Sequence, residues 1–140
     1  MSSLTITVNP GLLDVCGIPE PKTGLEGKFS LRGTASLALN GIDTANPETF
    51  VDKVIGSDPV QALIPKVSVE TDDSLNSFQS KVVWVDVSQS AHEKFNDLSQ
   101  PITDYDEQGA KLERKFHSLC AAAGHDSSVQ LEKLNALISS

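Results

Sequence analysis

The stretch TGLEGKFSLRGTASLALNG, residues 23–41, carries its own helix start and stop signals. Thr23 followed three residues later by Glu26 forms a capping box, and Gly41 supplies a C-terminal stop. At about 100° per residue, Leu25, Phe29, Ser36 and Leu39 share one side of such a helix, with Arg32 at its centre. A guanidinium there either snorkels outward along its stem or is held in a pocket.

Upstream, LTITV at residues 4–8 alternates Leu4, Ile6 and Val8 with two threonines, the period-two pattern of a strand with one buried face. Asn9, Pro10 and Gly11 end it. Residues 12–22 are ambiguous, and Pro19 and Pro21 make their later half an extended connection. Downstream, Asn46 and Pro47 open a short helix closed by Gly56, and Asp58 and Pro59 open another that Pro65 ends. KVSVET, residues 66–71, reads as an edge strand or one with a wet face, and residues 72–80 as a loose hairpin turn. SKVVWVDVS at 80–88 is apolar on both sides and therefore central in its sheet. Residues 88–106, polar and long, are expected to form a lid or a disordered loop containing His92 and Tyr105.

The last third is helical. Leu112, Phe116, Leu119 and Ala123 recur at helical spacing before Gly124, and Ser127 opens a final helix with Leu131, Leu134 and Ile138 as its stripe. The element order predicts an α+β fold: a small, mostly antiparallel sheet of about three strands packed against helices, as one domain over residues 1–140.

With 140 residues the chain can bury roughly two thirds of its unfolded surface without a staple. Two cysteines are too few for a secreted disulfide scaffold, and neither a leader pattern nor a run of roughly 20 apolar residues is present. A soluble, cytoplasmic protein is expected. The formal charge of −8 and dispersed lysines and arginines argue against nucleic acid or an anionic membrane as partner.

The run GLEGKFSLRGTASLALNG resembles the segment "glEaKFSlpYavAaaLldG" of the MmgE/PrpD family, whose members include 2-methylcitrate dehydratase and cis-aconitate decarboxylase. AKLERKFHSL is similar to that family's "eel.rKF..L". The resemblance implies the family's smaller α+β domain alone, since its large helical domain, which carries most catalytic residues, has no counterpart here. Counting back from Gly41 puts Arg32 where family members carry a catalytic tyrosine, so their chemistry is not carried over. What the resemblance implies is the fold and a pocket on the Arg32 side of the helix.

Arg32 is the leading catalytic candidate, a fork for a carboxylate or a developing enolate, with Lys28 as its i, i+4 neighbour. The alternative is a structural ion pair with one of the 19 acidic residues. His92 and Tyr105 are the candidates for moving a proton, with solvated loop positions as the plainer alternative. Asp14 and Glu20 are further polar candidates near the helix start. His117, Cys120 and His125 space as H-x2-C-x4-H but lack a fourth ligand, and no metal or cofactor is expected. Together with these candidates, the resemblance implies a cofactor-independent isomerase, lyase or cyclase acting on a small carbonyl or carboxylate compound in a biosynthetic pathway, expected to work as a homodimer. The alternative is a non-catalytic subunit that docks on a separate helical partner.

Overall fold

A computed structural model describes residues 1–138. The chain divides into two compact units, Met1–Pro101 and the stretch from Ile102 onward.

The first unit is built on a four-stranded sheet. Its strands are β1 (Ser3–Val8), β2 (Val67–Thr71), β3 (Gln79–Val85) and β4 (Ala91–Asp97), in the order β2-β1-β3-β4. β1 runs parallel to β2 and antiparallel to β3, and β3 runs antiparallel to β4. Registers Leu4↔Val67, Leu4↔Trp84 and Ile6↔Val82 gather Leu4, Ile6, Val8, Val67, Val69, Val82 and Trp84 on one face. Leu4, Val8 and Val67 on that face are buried.

The α+β class is the expected one, and the sheet gains a fourth strand. β2 and β3 do not form the hairpin expected across residues 72–80, because β1 lies between them. The long connection between β1 and β2 contains helices, the kind of crossover that parallel pairing requires. β3 is internal, which explains why it is apolar on both sides.

The expected lid at 88–106 instead contains the strand β4. Asp86 organises the turn: its Oδ1 accepts Ser88 N–H (2.8 Å), Ser90 N–H (3.0 Å) and Ser88 Oγ–H (2.6 Å). Gln89 takes the left-handed conformation, φ 65°. β4 has no apolar alternation because it is an edge strand with mostly exposed residues.

Short helices pack beside the sheet: α1 (Leu13–Cys16), α2 (Gly24–Lys28), α3 (Leu31–Leu39), α4 (Asp52–Ile55) and α5 (Asp58–Leu63). The capping box forms, with Glu26 N–H on Thr23 Oγ1 (3.3 Å) and Thr23 N–H on Glu26 Oε2 (3.0 Å). The single helix expected over 23–41 breaks at Phe29 and Ser30, however, and Ser30 caps α3 by accepting Gly33 N–H at 3.0 Å. The wheel drawn through both halves therefore mixes faces: Ser36 on that side is buried, but its apolar residues are not. Leu25, Phe29 and Leu39 are 66%, 41% and 40% exposed, while Gly24, Gly27, Gly33, Ser36 and Leu37 are buried.

Glycines allow this close packing. A Cβ on Gly24 would lie 2.2 Å from the Phe50 carbonyl oxygen, and one on Gly27 would lie 2.4 Å from Ile55 Cδ1. Leu37, Ile55 and Val60 form the core here, flanked by Ile42, Phe50 and Val54.

The second unit contains α6 (Tyr105–Ala122) and α7 (Ser127–Ile138). Asp104 caps α6 by accepting Glu107 N–H at 2.8 Å, so Tyr105 begins a helix rather than sitting in a loop. Gly124, at φ 70°, ends the turn after α6, and His125 N–H reaches back to Cys120 O at 2.8 Å. No described helix is long and apolar enough to cross a membrane.

Ser36 Oγ is fully buried and has no hydrogen-bond partner among the described residues. Ser36→Ala removes that unpaired group and improves helix propensity, so it is expected to stabilise the protein by about 1 kcal/mol in urea unfolding. Gly24→Ala drives a methyl into backbone that cannot yield, and is expected to cost about 2 kcal/mol or more in the same measurement.

Candidate functional site

Arg32 occupies the first turn of α3, where the break at Ser30 sets its direction. Ser30 Oγ–H donates to Ile18 O at 2.7 Å and Ile18 N–H donates to Phe29 O at 3.2 Å, which ties the start of α3 to residues 17–19. Half-buried there, Arg32 borders two recesses. The smaller, of about 130 Å³, is lined also by Cys16, Ile18, Pro19 and Val69. The larger, of about 390 Å³, is lined by Glu20, Lys22, Gln61, Ile64 and Pro65 together with Arg32.

Among the described residues no ion pair and no side-chain hydrogen bond uses the Arg32 guanidinium. The structural ion pair considered for it therefore has no partner there. A cation in the first turn of a helix also faces the positive end of the helix dipole, which an anion placed beside it would relieve.

The rim of the larger recess is held by hydrogen bonds to main-chain groups. Glu26 Oε2 accepts Lys22 N–H at 2.7 Å and Thr23 N–H at 3.0 Å. These backbone donors, Lys22 first, hold the Glu26 carboxyl below its ordinary range. Gln61 Nε2 donates to Pro21 O and to Ile55 O, each at 2.9 Å, and Gln61 Oε1 accepts from Lys22 Nζ at 2.9 Å. Pro21 itself is fully buried.

Glu20, itself exposed, lines the larger recess with Arg32, whereas Lys28, Asp14 and His92 line neither recess. Lys28 is exposed in the last turn of α2 and lines neither recess; the break after it removes the continuous helical face that an i, i+4 pairing with Arg32 requires. Asp14 is exposed on α1 and also lines neither. His92 stands on β4, three strands from β2, roughly 14 Å across the sheet at the usual strand spacing from the Val69 side of Arg32. Its ring stacks on Trp84 with centroids 5.2 Å apart, and its Nε2 lies 3.0 Å from Asp86 Oδ2. Hydrogen bonds from Ser88 first, then from His92, hold Asp86 well below the usual carboxylate range. Tyr105, 78% exposed, belongs to the second unit.

Lys22 and Gln61 were not among the candidates read from sequence. Lys22 has a visible signal, since it sits between a proline and a capping box. Gln61 has none, because its role depends on two carbonyls, one of them 40 residues away in sequence. His117 Nδ1 pairs with Ser127 Oγ at 2.7 Å, and the described residues contain no cluster of three or more His, Cys, Asp or Glu side chains suited to a metal ion.

A mixed sheet covered by short helices, with an unpaired arginine at the head of one of them, defines a small α+β domain with a cation-lined recess. Residues 1–137 match the family model described as the MmgE/PrpD C-terminal domain, and the chain belongs to that family. A search of curated proteins finds no match.

Because Glu26 has a lower pKa folded than unfolded, its stabilising contribution is present above its ordinary value of 4.5 and is lost as pH falls through the folded value. Urea unfolding from neutral pH down to about pH 3 is expected to show Glu26→Gln less stable than the parent at neutral pH, with the difference shrinking below about pH 4.5.

Proposed function

We propose that the Arg32 recess is the working site of a cofactor-independent isomerase, lyase or cyclase acting on a small carbonyl or carboxylate compound. The observation that carries this reading is the half-buried guanidinium with no partner among the described residues, sharing a recess with the Glu20 carboxylate. Arg32 holds the carbonyl or carboxylate oxygen. Glu20 takes a proton from the carbon beside the carbonyl, and the electron pair of that C–H bond moves onto the oxygen as an enolate. The guanidinium faces the negative charge as it develops, which is where a fixed donor lowers a barrier. Return of the proton to a different carbon completes an isomerisation, and departure of a leaving group from the neighbouring carbon completes an elimination. Glu20 takes the role considered for His92 or Tyr105 because it shares the recess with Arg32.

A second reading, a non-catalytic subunit that docks on a helical partner, is favoured by one observation in the second unit. Leu112, Phe116, Leu119, Leu131 and Leu134 line an apolar groove of about 510 Å³ between α6 and α7. Size-exclusion with light scattering on the isolated protein separates the two readings. A monodisperse homodimer fits the self-sufficient enzyme, and a monomer that becomes active only with a helical subunit fits the docking reading.

Proton NMR in D2O with a panel of small keto acids tests the chemistry. Arg32→Ala and Glu20→Gln are each expected to slow deuterium uptake at the carbon beside the carbonyl by about 100-fold. Uptake at the parent rate in both variants removes the assignment.

A further inference from the structure

Lys22 is the second cation on the wall of the larger recess, and it is held at both ends. Its backbone N–H is fixed on Glu26 Oε2 at 2.7 Å, which sets where the side chain starts. Its ammonium donates to Gln61 Oε1 at 2.9 Å, which sets where it finishes. Gln61 is itself oriented, because both of its amide hydrogens are directed at carbonyl oxygens, Pro21 O and Ile55 O. The amide has only its oxygen left for the lysine.

An ammonium has three donors, so the bond to Gln61 leaves two for another acceptor. Arg32 contributes five more donors and uses none of them on a side chain among the described residues. Arg32 and Lys22 share this wall with Glu20, and the Glu26 carboxylate lies within electrostatic reach of Lys22, on a chain whose formal charge is −8. Lysine stems are ordinarily mobile and lose rotamer freedom when they grip a ligand. Here the exposed Lys22 stem already has a partner for its ammonium before a ligand arrives, which lowers the ordering a ligand must impose.

We propose that Lys22 is the second arm of an anion clamp completed by Arg32, and that Gln61 is the positioning residue that aims it. This rests on the Arg32 recess being a ligand site, and it adds that an anionic group of the ligand is gripped by both cations. Gln61 touches no ligand in this arrangement; it acts through the lysine.

Calorimetric titration of the full chain with inorganic phosphate tests this. Lys22→Met keeps the stem and removes the charge, and is expected to weaken phosphate binding about tenfold. Gln61→Leu is expected to weaken it by a similar or smaller factor, and the double variant to bind no worse than Lys22→Met alone, because the glutamine acts only through the lysine. If Gln61→Leu costs as much in the Lys22→Met background as in the parent, its effect is structural and the positioning role is overturned. Arg32→Ala separates the underlying reading: parent-like binding there means that the recess is not the site. Binding lost in Arg32→Ala but unchanged in Lys22→Met leaves the recess intact and overturns the clamp, as does a parent protein that binds no phosphate. Should Gln61→Leu fail to fold, hydrogen exchange of the lysine ammonium groups in labelled parent protein decides the positioning role. The Lys22 ammonium is expected to exchange more slowly than that of Lys66, which is also exposed but has no side-chain hydrogen bond among the described residues, and equal rates overturn it.

Discussion

The hydroxyl of Ser30 is the contact on which the arrangement of the first unit depends. It is 1% exposed, donates to Ile18 O at 2.7 Å and accepts Gly33 N–H at 3.0 Å. A serine in this position competes with the helix for backbone partners, and here it wins, ending α2 and starting α3. The break lets the glycine face of α2 press on the segment around Phe50 and Ile55 while α3 turns Ser36 and Leu37 inward. It also directs Arg32 toward residues 17–20 rather than along the outer surface of one long rod. Gly33 extends the effect: a Cβ there would lie 2.9 Å from Pro21 Cγ, so the absent side chain gives Pro21 its place and fixes the start of Lys22.

The parts of this fold that were legible in sequence are those whose cause is local. The Thr23/Glu26 box, the alternation of β1, the stops at Gly41 and Gly124 and the two-sided apolar run of β3 are each written within a few residues, and each is found. The break at Ser30 was not legible because its driving partner, Ile18 O, is 12 residues away. β4 was hidden for a different reason. AHEKFND is an edge strand exposed along nearly its whole length, so it lacks the alternation that burial of one face imprints. The parallel pairing of β1 with β2 is likewise a matter of topology, set by the crossover between them rather than by either strand.

At the candidate site, Arg32 stood out because a guanidinium among apolar neighbours is unusual wherever the helix faces. Of the residues that share its side of the wheel, Ser36 is buried while Leu25, Phe29 and Leu39 are exposed. Glu20 could be named only as a carboxylate near the helix start, and Lys28 was overvalued because its pairing with Arg32 assumed a continuous helix. Gln61 shows the limit of pattern reading. A glutamine in a short helix is unremarkable until Pro21 O and Ile55 O are placed at its amide.

The helices of the first unit are too short to be stable by themselves, so side chains bonded to distant backbone carry much of the organisation. Asp52 Oδ1 accepts Gly24 N–H at 2.7 Å, Thr49 Oγ–H donates to Asp43 O at 2.7 Å, and Asn9 Nδ2 donates to Leu75 O at 2.7 Å. Gln61 belongs to this set through its amide nitrogen and to the recess through its oxygen. The bonds that shape the recess are therefore partly the bonds that hold the fold. At Gln61, stability and ligand binding are joined in one side chain. At Lys22, whose side chain supports no backbone group, the two separate.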